Sequence, residues 1–154
     1  MDPLSEVLLS VRLTGGVFLA WDFSAPWCVS VAIAPDDCMP FIQKPMQMLA
    51  YHVVLDGELV VAVDGEPTVK VGAGEIVMFP HNDAHTLGSA PGLKPNSAGE
   101  LLRSAPGGKP FRMSHGGGGA VTRIVCGFLA SEAPFNPLIS TLPKVLKVDV
   151  RRSA

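Results

Sequence analysis

Few side chains in this sequence can do chemistry. Four histidines (His52, His81, His85 and His115) and three cysteines (Cys28, Cys38 and Cys126) are the groups that ligate metals or carry protons near neutral pH. His52 stands in the apolar run Leu49-Ala50-Tyr51-His52-Val53-Val54-Leu55, Glu58 follows the pair Asp56-Gly57, and Cys126 sits midway along Val121 to Leu129. Two imidazoles and a carboxylate with open positions suit Fe(II) or a similar ion, and a thiolate among them shifts the preference toward zinc. The same residues also have plainer roles. A histidine in an apolar strand can be a hydrogen-bonded core group, Cys126 a small buried hydrophobe, and Glu58 a solvated carboxylate just past a turn. Three cysteines at wide spacing fit neither a disulfide framework nor a paired C-x-x-C site, so reduced thiols are expected.

Short β-rich runs must position these groups. They are Val17 to Phe23, Cys28 to Ala34, Met48 to Leu55, Glu58 to Val63, Thr68 to Val71, Ile76 to Phe79 and Val121 to Leu129, punctuated by Gly, Pro and Asp. Such spacing predicts an antiparallel sandwich or barrel rather than an α/β fold. Asp56-Gly57 between apolar runs predicts a two-residue hairpin, and Asp64-Gly65-Glu66-Pro67 a second turn. Residues 2–12 read as a short helix capped by Asp2, with Leu4, Val7, Leu8 and Val11 on one face. Asn136-Pro137 opens a helical turn that Pro143 stops. Residues 88–120 hold 9 glycines and 4 prolines in 33 positions, which predicts a long loop acting as a mobile rim, with Gly116 to Gly119 too flexible for a strand.

Composition sets the frame. In 154 residues, 47% are apolar and 17% charged, enough for one full core and with apolar surface left for a second subunit to cover. The longest apolar runs fall far short of a membrane span, and the acidic start lacks the basic region of a secretory signal, so a cytoplasmic location is expected. Residues 1–87 carry 11 acids and 3 bases, whereas residues 88–154 carry 3 acids and 9 bases. Those bases are scattered and no recognition-helix or zinc-finger pattern accompanies them, so direct nucleic-acid contact is not expected. A basic half folded over an acidic sheet accounts for the asymmetry.

Two segments carry a resemblance. His52, Glu58 and Gly65 match the first motif of the cupins, and Gly74, Pro80 and His85 match the second. Val54 stands where that family has a second histidine, and Asn82 where it has glycine, although Asn also takes the left-handed turn conformation. The resemblance implies an all-β fold, a double-stranded β-helix or jelly-roll barrel with short flanking helices, spanning 1–154 as a single domain. It also implies either one divalent metal (Zn, Fe, Ni or Mn) held by His52 and His85, with Glu58 as third ligand in an enzyme or the Cys126 thiolate in its place, or no metal, with these residues as polar groups for a ligand. In a strand His52 and Val54 share a face, the hairpin returns Glu58 beside them, and His85 enters from a facing strand. Core packing is the base expectation for Trp21, Trp27, Phe79 and Phe128.

Further segments extend the likeness. Asp2-Pro3-Leu4-Ser5, Ser24-Ala25-Pro26-Trp27, Gly116 to Gly119 with Thr122-Arg123 and Cys126-Gly127, and Asn136-Pro137-Leu138 with Leu142-Pro143 resemble the N-terminal sensor domain of AraC-family transcriptional regulators. This implies a small-molecule-sensing and dimerisation domain without its helix-turn-helix part, with a pocket of His52, Val54, Phe79, His85 and Phe128. Its partners would be a small, partly apolar effector and a second copy of the chain, docked through Tyr51, Val53 and Leu55. Val145 to Val150 and Arg151-Arg152 then read as the start of a linker or as a frayed tail. The competing class is a stand-alone metal-dependent cupin enzyme of dioxygenase or isomerase type, using His52, Glu58 and His85.

Overall fold

A computed structural model describes residues 3, 13–34, 36, 47–105, 111–131 and 136–152. The helix expected over 2–12 and Cys38 lie outside this set, apart from Pro3, which is helical. Among the described residues eleven strands form two sheets. In chain order they are β1 (Thr14–Ser24), β2 (Cys28–Val31), β3 (Gln47–Asp56), β4 (Glu58–Ala62), β5 (Val69–Gly72) and β6 (Glu75–Phe79). These are followed by β7 (His85–Gly88), β8 (Asn96–Ser97), β9 (Arg112–Gly116), β10 (Val121–Ser131) and β11 (Leu146–Asp149). The first sheet runs β11-β6-β3-β10-β1-β9 and the second β5-β4-β7-β2-β8, an all-β jelly roll with two short helices, α1 (Ala98–Arg103) and α2 (Pro137–Ser140). No helix among the described residues is long and apolar enough to cross a membrane.

Alternation builds the core. Along β10, Thr122, Ile124, Cys126, Phe128 and Ala130 are buried, while Val121 and Arg123 face out. Leu59 and Val61 of β4 and Leu87 of β7 share the core cluster with Ile124 and Cys126 from the second sheet. Phe23 and Phe79 are almost wholly buried, each contributing about 1.5–3 kcal/mol. Trp21, Phe23 and Trp27 stack in a ladder with centroid separations of 4.9 and 3.8 Å. The interior is therefore filled by side chains, as expected for these aromatics.

The Asp56-Gly57 hairpin is not formed. Gly57 takes a left-handed φ of 78°, but β3 and β4 are not partners, because the turn carries the chain from the first sheet into the second. Ala73 N–H donates to Gly57 O and Gly74 N–H to Val54 O, so the return crossing from β5 to β6 closes against the outgoing one. The second turn does join an antiparallel pair, β4 and β5.

The segment 88–120, expected to be one long loop, holds regular structure in part. It contains β8, α1 and β9, and β9 pairs in parallel with β1. The glycine run ends that strand and lies flat on Ser24-Ala25-Pro26: Gly117 N–H donates to Ser24 O, and Gly119 N–H to Ala25 O. A Cβ at Gly116 would come within 1.9 Å of the Ser24 carbonyl oxygen, and one at Gly119 within 2.6 Å of Ala25 O. Close backbone approach, not flexibility, is what these glycines serve.

The C-terminal stretch is structural too. Asn136 Oδ1 accepts from Leu138 and Ile139 N–H, capping α2 as expected, and β11 pairs antiparallel with β6 instead of leaving the domain as a linker. Arg151 ion-pairs with Asp149 beside Gly74. Bases of the second half meet acids of the first: Arg112 and Arg123 reach Asp22, and Lys147 reaches Glu75.

Candidate functional site

His52 and Cys126 occupy directly opposed positions on the neighbouring strands β3 and β10. Both side chains point inward, and His85 approaches from β7 of the facing sheet. His52 Nδ1 lies 2.9 Å from Cys126 Sγ, and its Nε2 lies 2.8 Å from His85 Nε2. His85 Nδ1 is 2.9 Å from the carbonyl oxygen of Asp83. Phe79 stacks on the His85 ring at 3.6 Å and meets His52 edge-on.

The tautomers follow from these partners. A carbonyl oxygen only accepts, so His85 Nδ1 must donate to Asp83, which leaves His85 Nε2 as acceptor. His52 Nε2–H then donates to it, His52 Nδ1 becomes an acceptor, and Cys126 S–H donates there. The result is a one-way chain of neutral donors, Cys126 to His52 to His85 to the Asp83 carbonyl, with no nitrogen of either ring left over.

Burial explains why the chain is neutral. His52 is held well below the usual histidine range, first by desolvation and then by the nearby His85. Desolvation lowers His85 to about 4, against weaker opposing pulls from its hydrogen bond to the Asp83 backbone and from the Asp83 charge. The Cys126 thiol is pushed strongly upward by burial alone, so it is neither a ready nucleophile nor a ready ligand.

The other expected site residues fall out differently. Val54 and Phe79 share the core cluster with Cys126, on the same side as His52. Phe128 does not join them; it packs in a separate small cluster with Ala130, Ile33 and Met48. Glu58 takes the solvated one of its two expected roles. Because the turn at Gly57 sends β4 into the other sheet, the Glu58 side chain is 62% exposed and pairs with Lys70 at 3.2 Å. His81 Nε2 lies 2.7 Å from Leu142 O at the surface, and His115 sits edge-on to Phe23. Asn82 takes the left-handed conformation expected of it, with φ 54°.

These donors do not fit a three-ligand metal centre. Cys126 meets one nitrogen of His52 and His85 the other, so the imidazole stands between thiol and second histidine. Among the described residues no group of three His, Cys, Asp or Glu surrounds a common point.

Open space lies elsewhere. A cavity of about 560 Å³ lies beside β2, β4 and β7 of the second sheet, lined by Ser30, Val31, Ala62, Val63, Asp64, Thr86 and, from α1 and its cap, Ser97 and Arg103. His85 also borders it, joining cavity to relay. Sequence reasoning missed this region because Ser30 and Thr86 look like ordinary outward strand residues and α1 lies inside the glycine-rich segment. Asp83 was missed as well: it contributes through its backbone, which no residue type advertises.

A family model described as Cupin matches residues 2–154. A search of the curated proteins finds no match.

Proposed function

The chain belongs to the cupin family, and from that premise we propose that it serves as the small-molecule-sensing and dimerisation domain of an AraC-type transcriptional regulator. One observation carries this reading: the three groups best suited to chemistry spend their polar atoms on one another, inside a filled barrel. A base, a nucleophile or a metal ligand needs a polar atom open to substrate, and those of His52, His85 and Cys126 are already engaged. The cavity of about 560 Å³ borders His85, so an occupant there touches one end of a hydrogen-bonded chain that reaches the centre of the first sheet. That is the arrangement of a sensor, in which occupancy biases a conformational balance without turnover.

The dimer face in this reading is the outer side of β3. Tyr51, Val53 and Leu55 point away from His52, and Leu55 is 53% exposed.

Two measurements test the proposal. Sedimentation of the chain should give a dimer, and Val53→Asp should shift it toward the monomer; a monomeric parent chain overturns the dimerisation role. Elemental analysis after purification without added metal should give far less than one equivalent of Fe, Mn, Ni or Zn. A full equivalent whose chelation abolishes turnover of a small organic substrate overturns the sensor reading in favour of the stand-alone enzyme.

A further inference from the structure

We infer that a second copy of this chain packs face to face on the outer side of the first sheet, across the strands from β11 to β1; this deepens the dimerisation reading and rests on it. The strand registers trace the surface. One row of directly paired residues runs Val148, Ile76, Val53, Val125 and Ala20 across β11, β6, β3, β10 and β1. A second row, two positions along each strand, runs Leu146, Met78, Tyr51 and Gly127. Side chains alternate along a strand, and Val77, His52 and Cys126, which lie between these positions, are buried in the interior. Both rows therefore face away from it. None of their side chains belongs to either core cluster; Val148 is 36% exposed and, Gly127 apart, the others are half-buried. A continuous apolar surface of this kind marks an interaction site.

Charge selects the partner. The next row on β3, β10 and β1 is Asp56, Arg123 and Asp22. Arg123 lies 3.5 Å from Asp22 and 3.9 Å from Asp56, and Arg112 of β9 lies 2.7 Å from Asp22. Two arginines and two aspartates thus close this side of the face with no net charge. A nucleic acid or an anionic membrane finds no surplus of cations there. An identical rim brought up by a two-fold axis meets no like charge in excess. An apolar centre with a satisfied polar rim has the anatomy of a protein interface, on which a second sheet packs at about 10 Å.

Extent sets the strength. Strands about 4.8 Å apart and rows about 6.7 Å apart give a face of roughly 25 by 20 Å with its side chains, so a pair buries on the order of 1,000 Å². That is the low end for specific interfaces, which makes the dimer reversible and dependent on concentration.

Sedimentation of the full chain over a concentration series tests this. The parent should pass from monomer to dimer in the micromolar range. Ile76→Asp and Val125→Asp should each raise the dissociation constant at least about tenfold, because two like charges meet across the axis. Val60→Asp, on the outer side of the second sheet, should leave it unchanged. Val53 stands on the middle strand of the longer row, so the axis sets it close to its counterpart. Val53→Asp and Val53→Lys should therefore be monomeric alone and form a heterodimer when mixed, a rescue that misfolded variants cannot give. A parent dimer unaffected by Ile76→Asp and Val125→Asp, or a mixture of folded Val53 variants that stays monomeric, overturns this face and leaves the dimerisation reading standing. A parent chain that is monomeric up to about 500 µM overturns both.

Discussion

The barrel interior and the cavity beside the second sheet hold similar kinds of polar group in opposite states. Inside, Cys126, His52 and His85 are buried, neutral and mutually satisfied. Outside, Ser30, Thr86, Asp64 and Arg103 are solvated, and no side-chain hydrogen bond or ion pair among the described residues engages them. Chemically able residue types are thus poor guides to a site. A histidine whose two nitrogens are both engaged stabilises the fold and is closed to ligands, whereas an ordinary serine with nothing bound to it is open.

The sharpest way to break this contrast is His52→Ala. It strands a buried thiol and the His85 acceptor and leaves a cavity, so denaturant melts should show a loss of about 3–5 kcal/mol. A near-neutral result would mean that the relay does not hold the two sheets together. Acid should act on the same groups. His85 has a folded value near 4 against an ordinary 6.5, so the unfolded chain binds the extra proton first as pH falls. Stability should be complete above pH 6.5 and decline toward pH 4 by about 3 kcal/mol from His85, with His52 adding to the loss in the same direction. A stability curve flat across that window contradicts the neutral relay.

Smaller changes refine the comparison. Cys126→Ala leaves His52 Nδ1 without its donor and should cost about 1–3 kcal/mol. Cys126→Ser keeps a donor there and should recover part of that loss, a difference readable in thermal melts. At the far end of the scale, Ser30→Ala and Thr86→Ser should change stability by less than about 0.5 kcal/mol. A cost as large as that of the relay variants would show the cavity to be part of the framework rather than a place for a ligand.

Much of the fold was legible. Seven of the strands announced themselves as short β-rich runs between turn residues, some of them alternating, as in Glu58 to Ala62, where Leu59 and Val61 turn inward. Strands β7, β8 and β9 did not, because His-Thr-Leu-Gly and Asn-Ser lack a repeating apolar pattern and Arg112 to Gly116 is mostly polar. They are strands because β2, β4 and β1 offer them backbone partners. The Asp56-Gly57 signal was correct about the reversal and wrong about the hairpin. Turn chemistry fixes local φ and ψ, but which sheet receives the next strand depends on distant pairings. Glu58 was misplaced with it, since its position beside the histidines relied on that hairpin.

For the site, the sequence determined which groups were available and which strand faces they occupy. His52 and Val54 had to point together, and Cys126 had to share a face with Ile124 and Phe128, because the side-chain period of a strand is fixed by its backbone. What those groups do was decided only by the tertiary structure. A hydrogen bond acts over about 3 Å, and the partners of His52 lie 74 and 33 positions away along the chain. Only the register of β3 on β10 and the closure of β7 over them brought donor to acceptor.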